Sequence, residues 1–144
     1  MNFLLASTSI GASSQEDIKA ELNLRPESRV LFISSQTHGL NWKIFARQAK
    51  SDWEWLSEIE WEVAAIDEPD SFHLLEGAFD IIILSGGNVF YFMQHAKEFL
   101  PSILEKFLNP NGVVVGISAG AQILSTDIST GKLSNGDENR VELE

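Results

Sequence analysis

The chain has 144 residues, 44% apolar and 22% charged, with a formal net charge of −11; that is one domain, 1–144, with a substantial core, and the acidity argues against nucleic acid or an anionic membrane as partner. No cysteine is present, which excludes disulfides, thiolate catalysis and thiolate-held metals and fits a cytoplasmic protein. No stretch approaches the roughly 18 apolar residues of a membrane span, and the N-terminus lacks the basic start and longer apolar region of a signal peptide.

In chain order, Phe3 to Ala6 reads as a short buried strand that runs into the polar loop Ser7-Thr8-Ser9. Gln15 to Leu22 can form a short helix with Ser14 as its N-cap. Val30 to Ile33 is a second apolar run, followed by the polar loop Ser34 to Asn41. Trp42, Phe45, Ala49, Trp53 and Leu56 recur at three- and four-residue steps, the signature of an amphipathic helix packed on a core. Trp61 to Ile66 is a third strand, ending at Asp67, and Ser71 to Glu76 reads as a helical turn. Phe79 to Leu84 is the fourth strand and meets Ser85-Gly86-Gly87-Asn88. The sequence then predicts a helix over Val89 to Phe99, capped by Asn88, and a second helix opened by Pro101. Asn109-Pro110-Asn111-Gly112 reads as a turn before the fifth strand, Val113 to Val115.

Continuous apolar strands alternating with helical segments imply βαβ units and a mostly parallel sheet covered on both faces, a three-layer α/β/α domain. In such sheets ligands bind outside the carboxyl ends of the strands. That rim carries Ser7-Thr8-Ser9, Ser34-Ser35-Gln36, Asp67, Gly86-Gly87-Asn88 and Ser118.

Two of these stretches carry chemistry. Gly116-Ile117-Ser118-Ala119-Gly120 places a serine between a buried strand and Ala121-Gln122-Ile123-Leu124, which can start a helix. This is the pattern of a nucleophile elbow, where a sharp turn exposes a hydroxyl beside the free amides of a helix N-terminus. Small residues also mark ordinary strand–helix turns. Gly86-Gly87 likewise either permits a tight turn or brings an amide close to a substrate oxygen.

With these paired motifs the chain resembles the peptidase E (α-aspartyl dipeptidase) and cyanophycinase group of serine peptidases, which share the class I glutamine amidotransferase-like (flavodoxin-like) fold. The matching residues are Gly86-Gly87-Asn88 after an Ile-rich strand and Gly116 to Ala121 after a Val-rich one; the opening strand, Val30 to Ser35 and Gly136-Asp137-Glu138-Asn139 also match. The resemblance implies Ser118 as nucleophile and the amides of Ala119 and Gly87 as oxyanion donors. Asn88 would be a structural partner of the elbow and the helix cap, and Asp137 an acidic member of the catalytic set, with Asp127 behind it. The implied substrate is a short peptide with an N-terminal acidic residue.

The family's histidine follows the serine in a Pro-His segment on a later strand, whereas this chain has no histidine after His95. The expectation is therefore a domain lacking its C-terminal part, with apolar surface where further strands would pack and a homodimer as one way to cover it. His38, at the rim, is a better substitute base than His73 or His95, and the three have no metal-ligand spacing, so neither metal nor other cofactor is expected. Two other readings stay open. One is a catalytically inactive peptidase-like domain that binds a ligand or assembles with a partner. Another is an esterase also built on G-x-S-x-G. An amidotransferase-like glutaminase is disfavoured by the lack of cysteine.

Overall fold

The computed structural model describes residues 2–6, 18–20, 22, 24–34, 59–85 and 87–124. Five strands form one sheet: β1 (Asn2–Ala6), β2 (Arg29–Ser34), β3 (Glu60–Ala65), β4 (Phe79–Leu84) and β5 (Leu108–Ile117). Their order is β1-β5-β4-β2-β3, and every neighbouring pair is parallel. Helix α1 (Val89–Phe107) connects β4 to β5, and α2 (Ala119–Ile123) follows β5.

The central strands are apolar along Val30–Ile33, Ile81–Leu84 and Val113–Val115 because both sheet faces are covered there. One face carries Leu31, Ile33, Ile82, Leu84 and Val114, packed under α1 and α2. The other carries Val30, Phe32, Ile81, Ile83 and Val115, with Ile18, Leu22 and Leu24 against them. Residues 18–20 are helical, and Leu22 N–H donates to the Ile18 carbonyl at 2.8 Å. The layers are therefore helix, sheet and helix, an α/β architecture. The amphipathic stripe from Trp42 to Leu56 lies outside the described residues.

α1 is one helix where the sequence suggested two. Proline lacks the amide that would bond the carbonyl of Lys97, so it read as a fresh start. Yet Val89, Phe92, Ala96, Leu100, Ile103 and Phe107 are all buried, at steps of three and four on either side of Pro101. Packing of that continuous stripe outweighs one lost hydrogen bond, and Pro101 itself is exposed, where water can solvate the freed carbonyl. Pro101→Ala is accordingly expected to stabilise the protein by about 2 kcal/mol, the helix-propensity gain less the looser unfolded chain. Urea denaturation checks this; an unchanged or lower midpoint would count against the account.

Two further elements differ from expectation. The helical turn is a 3-10 turn at Pro69–Phe72, earlier than Ser71 to Glu76. Proline starts it, and the Ser71 hydroxyl ties it to the backbone of Ala65 (3.0 Å from its N–H, 3.3 Å to its carbonyl). Asn109 to Gly112 is not a free turn before the strand but an irregularity within β5. Between the pairs Phe79↔Leu108 and Ile81↔Val113, β5 advances further than β4. Asp80 holds the excess residues, accepting from Asn109 Nδ2 at 2.7 Å and from the Arg29 amide at 2.9 Å. Arg29 in turn lies over the Phe79 ring, 4.5 Å from its centre, and pairs with Glu62, so the amino end of the sheet is braced across β3, β2, β4 and β5.

At the opposite edge, β1 pairs only through β5 among the described residues, and its Phe3 and Leu5 are 55% and 56% exposed. No described helix is long and apolar enough to cross a membrane.

Candidate active site

β4 and β5 are neighbours with Leu84 in register with Gly116, so their carboxyl ends bring Ser85, Gly87, Asn88 and Ser118 to the same stretch of the rim. Of these, the described residues Ser85, Gly87 and Asn88 lie some thirty residues before Ser118 in sequence and come to the same rim because their strands pair.

Ser118 has φ 52° and ψ −112°, and is the only non-glycine with positive φ among the described residues. This is the conformation of the first central residue of a type II′ turn, a place for glycine. A serine held there is strained by about 1–3 kcal/mol. The surroundings enforce it. Ser118 N–H donates to the Ala6 carbonyl at 2.9 Å, which prolongs the β1–β5 pairing past the strand end. Its carbonyl accepts from the amides of Ala121 (3.0 Å) and Gln122 (3.1 Å), which starts α2 at once. Its hydroxyl makes no capping bond to that helix.

The flanking glycines are required by close approach. A Cβ on Gly120 would lie 2.1 Å from the Leu84 carbonyl oxygen, so α2 rests directly on the end of β4. A Cβ on Gly116 would lie 2.7 Å from both Ala121 Cα and the Gly120 oxygen. The spacing G-x-S-x-G is therefore the spacing at which strand and helix fold back on each other.

Gly87 has φ +134°, open to glycine alone at little strain. Asn88, buried, caps α1: its Oδ1 accepts from Tyr91 N–H at 3.0 Å, and its carbonyl from Phe92 N–H at 3.0 Å. Ala119, the first residue of α2, is fully buried. Gly86, Asp127, Asp137 and His38 lie outside the described residues.

The two described histidines have other company. His73 lies 3.8 Å from Asp70, largely exposed, and the His95 ring packs 4.9 Å from that of Tyr91. Among the described residues no histidine is hydrogen-bonded to Ser118. No group of three or more His, Asp or Glu among them could hold a metal.

One rim residue escaped the sequence reading. Tyr91 O–H donates to Asp67 Oδ2 at 2.9 Å, from the first turn of α1 to the end of β3. Burial, then the hydrogen bond to Asp67 and its negative charge, push the phenol up to about 12. It stays protonated and able to donate across any ordinary working pH. The available signal was an aromatic hydroxyl three residues after the capping Asn88, with Asp67 already placed on the rim.

A sequence-family model, Peptidase family S51, matches residues 3–143. No curated protein matches the chain in sequence. Among solved structures, a protein from Listeria monocytogenes EGD-e assigned as a peptidase E superposes with a TM-score of 0.63 at 21% identity, covering 99% of this chain and 71% of that one. That likeness carries the fold.

Proposed function

Since this chain belongs to peptidase family S51, we propose that it is a serine peptidase of the dipeptidase type, acting on short peptides with an N-terminal acidic residue. The observation that carries the reading is the backbone of Ser118. A non-glycine residue at φ 52° is retained against its own strain, on a turn whose flanking glycines leave no room for anything larger.

In this reading Ser118 Oγ attacks the scissile carbonyl carbon while a base accepts its proton. The carbonyl oxygen becomes an oxyanion, held by the amides of Ala119 and Gly87. Collapse breaks the C–N bond, the base returns its proton to the departing amine, and water then hydrolyses the acyl ester by the reverse sequence. Asn88, capping α1, follows the Gly87 amide directly, Gly86 belongs with them to the binding loop that the family pattern implies, and Asp137 is the acidic partner. The base is the open part: a serine hydroxyl without one is a poor nucleophile. Within the 144 residues the first candidate is His38, the histidine that the sequence places on the rim; neither His73 nor His95 is hydrogen-bonded to Ser118.

That same fact favours a second reading, a peptidase-like domain without turnover that binds a peptide or assembles with a partner. Hydrolysis of Asp-Leu, with Leu-Leu and a p-nitrophenyl ester beside it, decides between them. The proposal expects Asp-Leu to be cut well above the other two. Preferred ester cleavage would turn the assignment to an esterase, and no turnover of any substrate by folded protein would favour the binding domain.

A further inference from the structure

We infer that Tyr91 is a positioning residue for the Gly87 turn, anchoring the first turn of α1 to Asp67 so that the amide of Gly87 stays at the rim beside Ser118. The inference rests on the reading of Gly87 as an oxyanion donor; the geometry beneath it does not.

Tyr91 acts at both ends of one link. Its backbone N–H holds the Asn88 side chain at 3.0 Å, and Asn88 directly follows Gly87. Its phenol reaches the other way, to Asp67 at 2.9 Å. In the strand order β4-β2-β3, Asp67 follows the strand two places from the one that bears Gly87. At about 4.8 Å per strand that is roughly 10 Å of sheet rim. The bond therefore spans the end of β2 and ties α1 to a distant part of the sheet.

The anchor point is itself well held. Glu68 N–H donates to the Ala65 carbonyl at 3.0 Å, and Ser71 Oγ bonds both polar groups of the Ala65 backbone, so the turn bearing Asp67 is closed from both sides. On the other flank α2 rests on Leu84 and Ser85. The Gly87 turn is thus gripped between Ser118's helix and the Tyr91–Asp67 bond. Gly87, exposed and at φ +134°, has no side chain to hold it in place, so its position depends on these neighbours.

The test uses the full chain with Tyr91→Phe, Asp67→Asn and the double variant, followed by amide hydrogen exchange. Phenylalanine keeps the ring and its packing; asparagine keeps an acceptor oxygen. Tyr91→Phe is expected to speed exchange of the Tyr91 and Phe92 amides about tenfold, the size of one hydrogen bond to a charged group. Strands β2 and β4 should be unchanged. Asp67→Asn should show a smaller effect, and the double variant no more than Tyr91→Phe alone. In Asp-Leu hydrolysis, kcat should fall about tenfold with KM unaltered, because an oxyanion donor acts in the transition state. Unchanged exchange at residues 91 and 92 overturns the anchoring, whether or not the protein hydrolyses the peptide. Faster exchange with kcat intact overturns its role in positioning. If the wild type cleaves nothing, the peptidase reading and with it the role in positioning an oxyanion donor fall, while exchange still tells whether the anchor exists.

Discussion

Replacing Ser118 with glycine is expected to abolish Asp-Leu hydrolysis and, in the same protein, to raise stability by about 1 kcal/mol. The two effects have separate origins. In the proposed mechanism no acyl ester can form without the hydroxyl, and loss of a nucleophile costs at least about a thousandfold, leaving only what binding and oxyanion donors would supply. The stability gain comes from the backbone: φ 52° with ψ −112° strains serine by about 1–3 kcal/mol, while glycine adopts it freely. Against that stands roughly 0.5–1 kcal/mol from the greater freedom of glycine in the unfolded chain. Ser118→Ala separates the terms: equally inactive, but still strained and within about 0.5 kcal/mol of the parent. Steady-state kinetics and urea denaturation on the three proteins provide the check. A glycine variant less stable than the parent would mean that the hydroxyl, not the turn, holds the local structure. Hydrolysis surviving in either variant would remove Ser118 from the chemistry.

Gly120→Ala is expected to destabilise the protein by more than about 3 kcal/mol, although helix propensity alone argues for a gain of about 1 kcal/mol. Sterics decide the sign. The new methyl would lie 2.1 Å from the Leu84 oxygen, 2.6 Å from the Leu84 carbonyl carbon and 2.8 Å from the Ser85 oxygen. All three are backbone atoms at the end of β4, a strand buried from Ile81 to Leu84, and they cannot rotate aside as a side chain can. Relief therefore requires α2 to lift from the sheet, which would also carry Ser118 away from the Gly87 turn. The urea midpoint should drop with an unchanged slope, and hydrolysis should be lost even under conditions where the variant is folded. A variant as stable as the parent would show that α2 does not rest on β4 as closely as described.

What the amino-acid sequence determined by itself was local. Apolar runs such as Phe79 to Leu84 marked strands because a strand buried on both faces needs nothing else. Gly116-Ile117-Ser118-Ala119-Gly120 marked the elbow because a strand folding at once into a helix needs small residues at those two places, and Asn88 marked a helix start through its own side chain. These are patterns legible within a few residues, although the close contact that requires Gly120 is with Leu84 on β4. Tertiary structure alone decided the rest. The order β1-β5-β4-β2-β3 depends on which crossovers pack together, and it brings Gly87 to Ser118. Helix α1 runs through Pro101 because a buried stripe on the sheet outweighs a missing amide. Residues 109 to 112 stay within β5 because Asp80, on the neighbouring strand, binds Asn109. The Tyr91–Asp67 bond joins residues far apart in sequence across the end of β2. Each of these outcomes is a balance struck between segments that meet only on folding, which is why periodicity and motif, being properties of one segment at a time, do not contain them.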